Sequence, residues 1–238
     1  MSPKYMKALL IAGVGMVCGA GAATLVVTTG DCGDGTPGKG ADGWVSENSE
    51  KSLKTKPGTG KMSKFVMVRA NATRQDTGYF RFDLSDLKGR KVQSATFKLY
   101  FMGDDRDRMS VFGLKDGVKG TNRAGGEDVN DADADKHDEF WIEKLLDRES
   151  APGMLEPDGD LTTVDWNEDA IVFLGEICNG GEPGLVELTS ADVALFVNND
   201  SNGVVTFMMQ GAQHSCRYAS KEDPDGNPPA TLELILAK

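Results

Sequence analysis

From residue 65 onward the chain alternates apolar and polar positions in short runs. FVMVRA (65–70), YFRFDL (79–84), SATFKLYF (94–101) and SVFGL (110–114) are rich in β-branched and aromatic residues and broken by Gly, Asp and Asn, which reads as strands and turns. The period of two is plainest in two of them. Phe80, Phe82 and Leu84 share one face, and Ala95, Phe97, Leu99 and Phe101 share another. Tyr79, Arg81 and Asp83, and Thr96, Lys98 and Tyr100, fall opposite, so one side is expected to pack on a core and the other to meet solvent. The second half repeats the pattern in IVFLGEI (171–177), LVELT (185–189), GVVTFMM (203–209), SCRYAS (215–220) and TLELIL (231–236). Between them SADVALFVN (190–198) predicts a helix, with Ser190 as its cap and Val193, Phe196 and Val197 on one stripe. Short strands with one helix and no βαβ alternation predict an all-β fold, an antiparallel β-sandwich of jelly-roll type.

Two stretches break the pattern. Residues 116–168 are polar, strongly acidic and weakly periodic, and read as a long insertion between strands, helical around 139–149 (EFWIEKLLDRE). The N-terminus is basic over residues 1–7, with an uncharged run from Ala8 to Gly30 and a small-x-small sequence at Ala20-Gly21-Ala22. That is the form of a secretory signal, so residues 1–22 are expected to be cleaved and the protein secreted, outside the cell or in its envelope. Retained, the same segment would be a membrane anchor. Five glycines within 30–42 suggest that 23–40 is a flexible tether ahead of a sandwich at 41–238.

The formal net charge is −11, or −13 without Lys4 and Lys7. A field of that sign repels nucleic acid and anionic membranes.

The order of several segments adds to this. Asp42-Gly43-Trp44-Val45, Gly78-Tyr79-Phe80-Arg81-Phe82-Asp83-Leu84-Ser85 and Ser94-Ala95-Thr96-Phe97-Lys98-Leu99-Tyr100 follow one another. Downstream come Phe140-Trp141-Ile142-Glu143, Val186-Glu187-Leu188-Thr189 with Asp192-Val193, Asn202-Gly203-Val204, Tyr218-Ala219-Ser220-Lys221-Glu222 and Pro228-Pro229-Ala230-Thr231-Leu232. Over 41–236 this resembles the DNRLRE domains, grouped with carbohydrate-binding module family 96. The resemblance implies a secreted β-sandwich that binds carbohydrate. The acidic insertion and the stretch 150–168 depart from the family's pattern.

Candidate chemistry is sparse. There are two histidines, His137 and His214, and no Ser-His-Asp order, metalloprotease helix or paired zinc-type cysteines, so the sequence reads as non-catalytic. Tyr79, Arg81, Lys98 and Tyr100 would cluster on the solvent face if strands 79–84 and 94–101 pair. Rings there would stack on a pyranose and the two cations would meet a uronate or sulfate. The same residues also suit an ordinary solvated face with cross-strand charge pairs. Asp131-Ala-Asp133-Ala-Asp135 alternates carboxylates as a calcium loop does, but Lys136 and Ile142 stand where an EF-hand needs Gly and Glu, which leaves a looser structural calcium site or a solvated acidic loop. Asp223-Pro-Asp225-Gly-Asn227 reads more simply as a tight turn. Cys178 and Cys216 either pair, stabilising the fold by roughly 2–4 kcal/mol, or remain buried thiols on neighbouring strands. The expected partner is a polysaccharide or cell-surface glycan. The rival readings are a structural or adhesive matrix protein on the same sandwich, and a cryptic carbohydrate-active enzyme.

Overall fold

The structure, a computed structural model, describes residues 22–30, 40–48, 65–71, 74–117, 146, 151–154, 167–211 and 213–238. They form β1 (Thr24–Thr28), β2 (Ala41–Asn48), β3 (Phe65–Asn71), β4 (Arg74–Asp83), β5 (Val92–Asp104), β6 (Arg108–Leu114), β7 (Ile171–Cys178), β8 (Gly184–Thr189), helix α1 (Ala191–Asn199), β9 (Val204–Gln210), β10 (Cys216–Ala219) and β11 (Thr231–Leu236). The sheet curls through the order β1-β11-β5-β10-β3-β4-β9-β6-β7, with β8 added on β5 and β2 on β4. Neighbouring strands run antiparallel, as the jelly-roll reading predicts.

One strand joins the two layers. Residues Phe65–Val68 of β3 pair with β10, whereas Arg69, Ala70 and Asn71 pair with β4. The first layer therefore holds β1, β11, β5, β8 and β10, and the second holds β2, β4, β9, β6 and β7. Between them lie the alternating apolar positions. Phe97 of β5 stacks on Phe207 of β9 at 4.6 Å, and Phe80 and Phe82 of β4 meet Phe97 edge-on at 5.6 and 6.0 Å. Each ring buries area worth roughly 1.5–3 kcal/mol. Helix α1 leads from β8 in one layer to β9 in the other and caps that end. Ser190 accepts from the Val193 N–H at 3.1 Å and donates to the Leu174 carbonyl at 3.0 Å. Phe196 lies over Gly113, where a Cβ would sit 2.6 Å from the ring.

The insertion leaves and returns at one point. Leu114 pairs with Ile171, and the Lys115 N–H donates to the Ala170 carbonyl at 2.9 Å. Its described residues Leu146, Ala151 and Met154 pack with Tyr79, Leu114, Ile171 and Met208 in a second, smaller core on the outer side of the second layer. The helix expected around 139–149 lies outside the described residues, apart from Leu146.

The tether needs correction. Thr24–Thr28 is strand β1, in register with β11 from Thr24↔Ile235 to Thr28↔Thr231. Thr29 is buried and its hydroxyl donates to Asp42 Oδ2 at 2.8 Å, and Gly40 is buried too. Hydropathy counts Leu25-Val26-Val27 with the leader, whereas the β-branched run behaves as a strand. Residues 31–39 lie outside the described residues.

Candidate functional site

The four residues expected to share a face do not come together. Strands β4 and β5 are not neighbours: they lie in opposite layers and present their second faces in opposite directions. Tyr79 and Arg81 are fully buried, and the Tyr79 hydroxyl donates to the Pro152 carbonyl of the insertion at 3.1 Å. Lys98 and Tyr100 stand half-buried on the outer face of the first layer. There Lys98 Nζ donates to Glu233 at 2.6 Å, and this hydrogen bond, helped by the charges of Glu233 and Glu187, raises the ammonium above its ordinary value despite slight desolvation. On the same layer Arg217 makes a two-pronged pair with Asp104 at 2.6 and 2.8 Å. These cations are already matched by carboxylates.

Of the two readings of Cys178 and Cys216, the disulfide is not formed, and of the buried thiols on neighbouring strands only Cys216 is buried, on a strand that does not neighbour that of Cys178. Cys178 and Cys216 are free thiols, one exposed and one buried. Strand alternation explains this: Ile177 and Asn179 are buried while Cys178, between them, is exposed. Asn179 is therefore the residue that reaches Cys216, its Nδ2 donating to Sγ at 3.3 Å. Desolvation, reinforced by nearby Asp107, Asp104 and Asp105, pushes the Cys216 thiol up to about 11 although the Asn179 bond opposes it. A thiol held protonated at neutral pH is no nucleophile. Asp131, Asp133 and Asp135 lie outside the described residues, as do Trp141 and His137. Asp223 closes a tight turn, accepting from Asn227 Nδ2 at 2.6 Å and from the Asp225 N–H at 3.1 Å. Among the described residues no group of three His, Cys, Asp or Glu is placed to hold a metal ion.

A different cluster forms where β2 and β3 end and β4 begins, the end of the sandwich away from α1. Arg74, Asp76, Gly78 and Phe80 alternate along the inner side of β4, so the strand passes from charge to aromatic core. Asp76 is wholly buried and serves two guanidiniums. Arg69 reaches its Oδ2 through Nε at 2.9 Å and Nη2 at 2.7 Å, and Arg74 Nε reaches Oδ1 at 3.0 Å. Arg74 Nε also lies 3.0 Å from Ser46 Oγ, and its guanidinium carbon sits 5.6 Å from the centre of the half-buried Trp44 ring. Asn71 fixes the turn between the strands, its Oδ1 accepting from the Arg74 N–H at 3.0 Å. The side chains of Arg69 and Arg74 keep 19% and 34% of their surface exposed, whereas Asp76 keeps none.

One carboxylate cannot balance two guanidiniums. The group carries one surplus positive charge in a chain of net charge −11. The guanidinium N–H groups not spent on Asp76 and Ser46 are donors of the kind that suits carboxylate or sulfate, and Trp44 sets an apolar ring beside Arg74. The sequence signal was the pair of arginines flanking Asn71-Ala-Thr73, with Asp76 two residues on.

Comparison with models of protein families finds none that matches this chain, and comparison with curated proteins finds no match either.

Proposed function

We propose that the protein is a secreted, non-catalytic β-sandwich that binds an extracellular polysaccharide bearing acidic groups, at the end formed by Trp44, Arg69 and Arg74. The observation that carries the reading is the sharing of buried Asp76 by two partly exposed arginines. Its rigidity supports recognition, because both forks are held before any ligand arrives and little side-chain entropy is lost on binding. The ordered resemblance to carbohydrate-binding modules supports the same class.

The test is a panel of neutral and acidic polysaccharides, each with and without calcium, monitored for retention of the protein and for new reducing ends. Retention by acidic polymers with no reducing ends fits the proposal. Release of sugar would make the protein an enzyme, and no retention by any polymer would leave the structural or adhesive reading.

A further inference from the structure

We propose that the site reads the acidic group of its ligand and not the sugar ring that bears it, so that uronate polymers of different ring configuration are bound alike. The inference rests on the proposed binding site and names what in the polymer that site recognises.

Opposite residues of an antiparallel pair lie on the same side of the sheet. Asp76 of β4 stands between Ser46 of β2 and Arg69 of β3, and Gly78, two residues on, stands opposite Trp44. The two arginines beside Asp76 are spent differently. Arg69 lays one edge, Nε and Nη2, against Asp76 Oδ2, and keeps 19% of its side chain exposed. Arg74 reaches Asp76 Oδ1 and Ser46 Oγ through Nε alone, both at 3.0 Å, and keeps 34%. These bonds leave out Arg74 Nη1 and Nη2, the nitrogens whose parallel N–H groups take the two oxygens of a carboxylate. Arg74 is the ligand-contacting residue. Arg69 and Ser46 are positioning residues, one acting through Asp76 and the other on the Arg74 Nε.

Trp44 is no platform for the sugar. Its ring packs against the main core, and the Arg74 guanidinium lies over it, 5.6 Å from its centre. A pyranose needs a bare aromatic face to stack on, and here the cation takes that place. Trp44 therefore supports Arg74. A carboxylate that meets Nη1 and Nη2 end-on lies in the guanidinium plane, with the bond to its sugar directed away from Arg74. The ring and its hydroxyls are then carried away from the group that binds the charge. Inverting a hydroxyl on that ring changes little at the contact, whereas removing the carboxylate removes the contact itself.

The experiment is calorimetric titration of the full chain with polygalacturonate and polymannuronate, and with each polymer after its carboxyl groups have been reduced to alcohols. Affinities for the two polyuronates should agree within about threefold, and each reduced polymer should bind at least about tenfold more weakly. Arg74→Lys keeps the charge but loses the fork, and should weaken binding by about tenfold, whereas Arg69→Lys should weaken it by less than about threefold. The polymer comparison is made on the wild type and needs no variant to fold. A preference of about tenfold or more for one polyuronate overturns this inference and leaves the binding site standing. So does a loss for Arg69→Lys as large as that for Arg74→Lys, at an unchanged melting temperature. Binding of neither polyuronate overturns the site and the inference together.

Discussion

Strands β4 and β5 carry nearly the same alternation and reach different environments. Both turn phenylalanines inward, where Phe80, Phe82 and Phe97 meet. On their other sides they part. Tyr79 and Arg81 of β4 are fully buried, Tyr79 beneath residues 151–154 of the insertion, while Lys98 and Tyr100 of β5 remain at the surface, Lys98 beside Glu233 and Glu187. Alternation tells which side of a strand meets the main core. It does not tell whether a distant part of the chain returns to cover the second side.

That contrast is open to direct attack. Tyr79→Ala should cost about 3–5 kcal/mol, in the range of truncating a large buried ring. Tyr100→Ala should stay within about 0.5 kcal/mol, and chemical denaturation of the two variants measures both. If they cost the same, the roof over β4 is wrong. The ion pairs should diverge in the same sense. Asp76→Asn should cost about 1.5–3 kcal/mol because a buried charged acceptor of two guanidiniums is lost. Glu233→Gln should cost about 0–1 kcal/mol, since both members of the Lys98–Glu233 pair keep contact with water. At the helix-capped end, Gly113→Ala should cost about 1–3 kcal/mol, because its methyl group would enter the Phe196 ring.

The smallest effect is a pH dependence. Burial raises the Cys216 thiol to about 11, so the folded chain keeps its proton where the unfolded chain, at its ordinary value near 9, loses it. Stability from this group is complete below pH 9 and is lost as pH rises toward 11. Cys216→Ala should therefore show a shallower alkaline fall in melting temperature than the wild type. Parallel curves would remove Cys216 as the cause.

Much of the sandwich was legible because period-two alternation is a local property. The faces of 79–84 and 94–101 and the Ser190-capped helix could be read from neighbours in sequence. Pairing partners could not. Nothing local says that β4 takes β2, β3 and β9 while β5 takes β8, β10 and β11, and so Tyr79 and Arg81 were grouped with Lys98 and Tyr100 across a pairing that does not exist. Strand β1 was hidden for another reason: a β-branched run following an apolar leader has the same hydropathy as the leader. The arginine pair was missed because its meaning lies in burial. Arg69, Arg74 and Asp76 look like ordinary surface charges until the fold encloses the carboxylate and leaves the two cations at the rim.

Arg81→Ala is unsuited to testing the binding face, since that side chain is fully buried. The most direct measurement is calorimetric titration of a soluble polyuronate into the wild type, Arg74→Ala and Lys98→Ala at one low salt concentration. The account predicts binding by the wild type, at least a tenfold loss for Arg74→Ala, about 1.4 kcal/mol, and little change for Lys98→Ala, whose charge Glu233 already meets. Binding that survives Arg74→Ala and falls with Lys98→Ala would contradict it.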